Sequence, residues 1–180
     1  VKSRYLKDNA NLIAVSAESK VFVYIIRDFI AGKTYKSQTT FNSPYNQTSI
    51  SQNGYMNVFI NGNSTSDYTT KDGQYIVLNN PCNVGDNVTI IEYFSYLGAT
   101  TSFGYDISLS SAGEYIAISE PEYGTTITGL VYTNIGKIHI CNNTTIQKEQ
   151  ELINTEPATN EYFGTSVSFF NDDVSIAVYS

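Results

Sequence analysis

Phe103-Gly104-Tyr105-Asp106-Ile107-Ser108-Leu109-Ser110 leads through the turn Ser111-Ala112-Gly113-Glu114 into Tyr115-Ile116-Ala117-Ile118-Ser119. Sixty residues on, the plan returns as Phe163-Gly164-Thr165-Ser166-Val167-Ser168-Phe169-Phe170, then Ser175-Ile176-Ala177-Val178-Tyr179-Ser180. A shorter copy opens the chain, where Leu12-Ile13-Ala14-Val15-Ser16-Ala17 precedes Val21-Phe22-Val23-Tyr24. Each copy sets two apolar, β-branched runs on either side of a short polar turn, the signature of paired strands. Self-similarity at a fixed spacing points to an array of small sheets that bury their faces on one another.

The composition fits that reading. Of 180 residues, 41% are hydrophobic and 15% charged, so a core can form and disorder is not expected. Fifteen Tyr, nine Phe and abundant Thr favour strands, and no eleven-residue window carries a clean helical period. Gln147 to Leu152 is the one helix-tolerant stretch. The net charge of −7 and the lack of a basic stripe argue against nucleic acid or an anionic membrane as partner. No run of eighteen apolar residues exists, so no membrane-spanning helix or membrane insertion is expected. Cys82 and Cys141 fall in different modules and are expected as free thiols.

The chain divides into four parts by these signals. Residues 1–42 form a first blade-like repeat, with Thr34 to Thr40 as its edge strand. Residues 103–153 form a second, with a long loop from Glu120 to Gly136, then Lys137 to Cys141 and Thr144 to Leu152. Residues 161–180 form a partial third, so a longer parent chain is expected. Between the first two lies an insert, 53–97, read as a small β-sandwich-like module. Its punctuation is Asn61-Gly62, a type I′ hairpin signal, then Asp72-Gly73 and Val84-Gly85-Asp86.

The Phe-Gly copies resemble the FG-GAP type of β-propeller repeat, a Phe-Gly strand, an Ala-Val strand and a Gly-x-Val-Tyr-Val strand. Gly136-Lys137-Ile138-His139-Ile140 and Lys20-Val21-Phe22-Val23-Tyr24 fill the last role. Calcium-binding members carry Asp-rich turns between strands. The matching turns here, Ser111-Ala112-Gly113-Glu114 and Asn171-Asp172-Asp173, supply too few oxygens for a hard cation, so no metal or other cofactor is expected. The insert is similar to a module of bacteriophage tail fibres, whose blocks here are Val58-Phe59-Ile60-Asn61-Gly62, Asp67-Tyr68-Thr69, Ile76-Val77-Leu78 and Val84-Gly85-Asp86-Asn87-Val88. That resemblance implies a structural appendage and brings no catalytic residue with it.

Candidate site residues are few. His139, the one histidine, lies between two isoleucines without metal-ligand spacing and reads as a surface or blade-packing residue. No Gly-x-Ser-x-Gly elbow accompanies it. Glu120, Glu122 and Asp172-Asp173 read as solvated turn acids rather than a glycosidase pair. Tyr93, Phe94 and Tyr96, and likewise Tyr115, Tyr123 and Tyr132, form either a sugar-binding surface or ordinary strand filling. Asn46, Asn63, Asn87, Asn142 and Asn143 begin glycosylation sequons, which matter in a secreted eukaryotic setting.

No catalytic, cofactor-binding or metal residue is therefore assigned. The resemblances together imply a non-catalytic virion protein, a tail-fibre or appendage component active in assembly and host-surface attachment. Its expected partners are other virion proteins, further copies of itself and a host-surface glycan. Three copies giving two blades each would make a six-bladed trimer. The alternative is a cell-surface or extracellular adhesion protein with an FG-GAP propeller.

Overall fold

The structure is a computed structural model and describes residues 3–7, 10–17, 19–30, 37–42, 55–71, 75–143, 145–170 and 175–180. Among these the fold is all-β, in several small sheets of which none closes. The first strands are β1 (Ser3–Lys7), β2 (Ala10–Ala17), β3 (Lys20–Ile30) and β4 (Ser37–Asn42). The middle of the chain forms β5 (Tyr55–Ile60), β6 (Asn63–Thr65), β7 (Tyr68–Lys71), β8 (Tyr75–Asn83) and β9 (Asn87–Leu97). There follow β10 (Ile107–Leu109), β11 (Tyr115–Glu120), β12 (Thr125–Ile127), β13 (Leu130–Tyr132) and β14 (Lys137–Asn142). The last are β15 (Gln147–Leu152), β16 (Ser166–Phe169) and β17 (Ile176–Tyr179).

The strands join as a six-stranded sheet β1-β2-β3-β9-β5-β6, a four-stranded sheet β10-β11-β14-β15, a three-stranded sheet β4-β8-β7 and the hairpins β12-β13 and β16-β17. Two compact units result. One comprises Val1–Tyr5, Ile13–Val23 and Ser95–Ser180, the other Leu6–Leu12 and Tyr24–Phe94.

Within the first unit the sixty-residue repeat is a repeat of hydrogen bonds. Ile107 faces Ile118 and Leu109 faces Ile116, while Val167 faces Val178 and Phe169 faces Ile176. The Gly104 amide donates to the Ser119 carbonyl at 2.8 Å, and the Gly164 amide donates to that of Tyr179 at 3.0 Å. Ser110 to Tyr115 and Phe170 to Ser175 close the two turns alike, at 3.0 and 2.9 Å. Successive copies also clasp each other. Asp106 Oδ2 accepts the Ser166 hydroxyl and the Val167 amide, each at 3.0 Å, and Ser108 Oγ accepts the Phe169 amide at 3.1 Å. Those side chains satisfy amides on the edge of β16 that, among the described residues, no strand covers. Under them Ala117, Ile138, Ile140 and Val167 make a shared core.

The strand composition follows from place in the sheet. β14 is buried on both faces, with Ile138 and Ile140 on one side and Lys137, His139 and Cys141 on the other. β15 is the edge strand, and Gln147-Lys148-Glu149-Gln150-Glu151 is almost wholly exposed. Its helix-tolerant composition is that of an edge guarded by charge against further pairing. The expected loop from Glu120 to Gly136 contains the β12–β13 hairpin, whose turn residues Thr128 and Gly129 have φ of 49° and 83°, as a type I′ turn requires.

The second unit holds most of the insert. Met56, Val58, Ile76, Leu78, Cys82, Val88 and Ile90 form its core, drawn from β5, β8 and β9. The Asn-Gly and Gly-Asp blocks lock together. Asn61 Nδ2 donates to Asp86 Oδ1 at 2.8 Å, and Asn61 Oδ1 accepts the Asn87 amide at 2.9 Å. Asp86 Oδ2 in turn accepts the Asn83 amide at 2.8 Å. Asp67 of the Asp-Tyr-Thr block receives the side-chain amides of Asn79 and Asn80. The segment expected to edge the first repeat pairs elsewhere: β4 lies beside β8, and the place next to β3 is taken by β9. The insert thus enters between the third and fourth strands of a sheet rather than after a finished one. The Asp72-Gly73 turn lies outside the described residues.

Two glycines separate conformational strain from close packing. Gly129 and Gly136 have φ of 83° and 82°, but a Cβ on Gly129 would meet open space, whereas one on Gly136 would lie 1.9 Å from the Phe163 carbonyl oxygen. Gly129→Ala should cost about 1 kcal/mol and Gly136→Ala roughly 3 kcal/mol or more. Equal losses in chemical denaturation would contradict this account of the packing.

Candidate functional site

The densest polar chemistry lies on the face of the four-stranded sheet that carries His139. Glu120 ends β11 opposite Lys137, and His139 lies opposite Glu151 across the β14–β15 ladder. Period-two alternation therefore brings all four side chains to one face. Glu120 is fully buried and His139 nearly so, at 0% and 2% exposure. Glu120 was expected as a solvated turn acid and is instead a core residue, because its strand runs one residue further inward than its polarity suggests. Glu122, two residues on, is exposed as expected.

The carboxylate is held from two directions. Glu120 Oε1 accepts the backbone amides of Ala99 and Thr100 at 2.7 and 2.5 Å, and Oε2 lies 2.8 Å from His139 Nε2. Burial pushes the Glu120 carboxyl up, but the His139 hydrogen bond and those from Thr100 outweigh it, so it lies below the ordinary range. Glu120 is then an anion at neutral pH, and Nε2–H of His139 is the donor. His139 Nδ1 is 3.2 Å from Glu151 Oε1, without the alignment of a hydrogen bond. Glu151 Oε2 accepts from Lys137 Nζ at 2.9 Å, and that bond first, then nearby positive charge, holds the Glu151 carboxyl low. Burial lowers Lys137, but Glu151 and Tyr123 more than offset this and raise it. Its Nζ stands 3.6 Å from the centre of the Tyr123 ring, and the Phe103 ring meets His139 edge-on at 5.2 Å.

A carboxylate–imidazole pair is a familiar proton relay. Here the imidazole is enclosed by Glu120, Glu151 and Phe103, and the carboxylate spends its other oxygen on the segment that leads into Phe103-Gly104. The arrangement fastens that segment to the sheet. Among the described residues no cluster of three or more His, Cys, Asp or Glu side chains has metal-holding geometry.

The aromatic groups divide by strand face. Phe94 and Tyr96 alternate inward along β9 and are buried, so they form no exposed platform. Tyr96 donates to the Asn142 carbonyl at 3.0 Å, and burial raises its hydroxyl far above the usual tyrosine value. Tyr93, partly buried on the other face, packs its ring 5.2 Å from that of Tyr24. Tyr115, Tyr123 and Tyr132 are each partly buried. Asp172 and Asp173, and the sequon at Asn46, lie outside the described residues. Cys82 and Cys141 are both free and buried, and burial pushes the Cys141 thiol up to about 12. Neither thiol should react with Ellman's reagent until the chain unfolds, and prompt labelling of the native protein would contradict their burial.

A cleft of 470 Å³ opens on the opposite face of the same sheet, lined by Tyr115, Ile140, Leu152, Phe169 and Ile176 together with the polar Glu149 and Gln150. Nothing in the sequence marked these positions as a groove. Compared with models of known protein families and with curated proteins, the chain matches none.

The lowered carboxyls of Glu120 and Glu151 set an acid limit. Their stability contribution is complete above the ordinary glutamate value and is lost as pH falls through the lowered ones, so melting temperature should drop below about pH 4. Glu120→Gln should flatten that acid limb. His139→Ala, which leaves a buried carboxylate without its partner, should cost about 3 kcal/mol at neutral pH. An unchanged acid limb in Glu120→Gln would show that Glu120 does not govern it.

Proposed function

We propose that this chain is a non-catalytic structural protein of a virion appendage, built from FG-GAP-type blade repeats with a tail-fibre-like β module inserted, and serving assembly and host-surface attachment. The observation that carries the reading is the repeat of the Phe-Gly hairpin with the same register, the same glycine bond and direct stacking of one copy on the next. Such units cannot bury their faces alone and gain stability by stacking, which suits a load-carrying scaffold. The inserted module supports the virion setting over the adhesion protein, since its four sequence blocks cohere as one packed unit through Asn61, Asp67 and Asp86. The exposed tyrosines Tyr105, Tyr162 and Tyr179, rather than the clusters singled out in the sequence, are where a host glycan would be met.

In this reading the Glu120–His139 pair has a positioning role, tying the entry of one hairpin to the sheet it extends. Peptide mass spectrometry on density-purified virus particles from the source tests the proposal. The chain should appear at fixed stoichiometry to other particle proteins. Recovery only from host envelope or culture supernatant would sink the virion reading and leave the adhesion protein in its place.

A further inference from the structure

The polar cluster of the four-stranded sheet leaves one buried atom without a bond. His139 Nε2–H donates to Glu120 Oε2 at 2.8 Å, but His139 Nδ1 is buried and has no hydrogen-bond partner. In that tautomer Nδ1 carries a lone pair, and Glu151 Oε1, which only accepts, faces it at 3.2 Å. Two acceptors thus meet across the β14–β15 ladder, a contact that repels where a hydrogen bond would attract. A buried polar atom left in that condition is costly, and its persistence calls for a use.

The surroundings of the ring can accommodate a second proton. Glu120 comes from β11, Glu151 and Lys148 from β15, and Lys137 and Cys141 from β14. Tyr123 meets Lys137, and Tyr96 interacts with Cys141. Burial keeps the Cys141 thiol and the Tyr96 hydroxyl neutral. Lys137 is spent on Glu151 at 2.9 Å, and Lys148 stands over the Phe103 ring, 5.4 Å from its centre. Two carboxylates and the Lys137 ammonium close around the imidazole, so the group carries one negative charge with a neutral ring and none with a protonated one. Glu151 is half-exposed, which gives a proton a path to Nδ1 and lets the carboxylate turn into line with it.

We infer that His139 is a proton-operated clasp on β15: a proton taken from solvent onto the Nδ1 lone pair turns the two facing acceptors into an Nδ1–H···Oε1 hydrogen bond to Glu151. No bond breaks in the step. Both carboxylates stay anionic through it, since the lowered carboxyls of Glu120 and Glu151 protonate only in stronger acid. With a neutral ring, β15 is held at Glu151 by Lys137 alone. With a protonated ring, a second charge-assisted bond is added to the ladder. Among the described residues β15 is the edge of its sheet, so the proton decides how firmly that edge is fastened. Imidazole suits the task because its charge changes near neutral pH. The inference stands on this geometry whether or not the chain belongs to a virion.

His139 is the one histidine of the 180 residues, so its ring nitrogens can be read without overlap. Nitrogen-15 NMR of the chain should show one protonated ring nitrogen at about pH 8 and two at about pH 5.5. Over the same span the amides of β15 should become about tenfold better protected from hydrogen exchange, after correction for the intrinsic rate. Glu151→Gln should abolish that change, because its amide nitrogen donates to Nδ1 at either pH while its oxygen still accepts from Lys137. Glu149→Gln, which removes a charge from the same strand at the cleft on the other face, should keep it. A ring that holds one protonation state throughout would overturn the inference, as would β15 protection that ignores the second proton. So would a pH dependence that survives Glu151→Gln or vanishes in Glu149→Gln.

Discussion

A Cβ on Gly164 would lie 2.5 Å from Ile138 Cδ1 and 3.5 Å from the Lys137 carbonyl oxygen. One on Gly104 would lie 2.8 Å from the side chains of Ser16 and Val21 and 3.6 Å from the Lys20 carbonyl oxygen. Both glycines have positive φ, 90° and 81°. Each Phe-Gly step thus rests on a lysine–aliphatic step of the copy before it, Lys137-Ile138 in one case and Lys20-Val21 in the other. That close approach brings Val167 into the core of Ala117, Ile138 and Ile140. Without it the apolar faces would be held apart by a gap, and dispersion contact falls steeply over even a fraction of an ångström. The phenylalanine of the motif supplies buried area, and the glycine supplies the distance at which that area counts.

Burying a carboxylate and an imidazole in such a sheet is costly, and a well-packed apolar pair could replace them at equal or greater stability. What the Glu120–His139 pair adds is direction. Two backbone amides from Ala99 and Thr100 converge on one Glu120 oxygen, which fixes where the chain turns before Phe103. In the second unit Arg27 and Glu92 are likewise buried, with Arg27 Nε 4.0 Å from Glu92 Oε2. Charge in the core of each unit penalises register slips, since a one-residue shift would turn the charged side chain to the other face of its sheet.

Much of this was readable from the chain. The alternation Ile138, Ile140 against His139, Cys141 gives β14, and Asn61-Gly62, with φ of 50° and 82°, makes the I′ turn its identity calls for. The β12–β13 hairpin was missed because Thr128-Gly129 lacks the usual Asn or Asp, though β-branched residues on both sides of a glycine were a usable signal. β15 reads as helix-tolerant because Gln, Lys and Glu serve an exposed sheet edge as well as a helix surface. Glu120 was legible as an acid after an apolar run and not as a buried one. Its burial depends on amides some twenty residues earlier and an imidazole nineteen residues later.

The sequence by itself determined which segments are strands, where hairpins turn and which side chains share a strand face, because these depend on residues a few positions apart. It also determined the sixty-residue repeat, since like sequences fold into like hairpins. Only the tertiary structure decided that β9 lies beside β3, that β4 pairs with β8, and that Glu120, His139, Glu151 and Lys137 meet on one face of the sheet. Those pairings join parts of the chain far apart in sequence, and they are chosen by which apolar faces and backbone edges can be satisfied together in space. No local pattern records that choice.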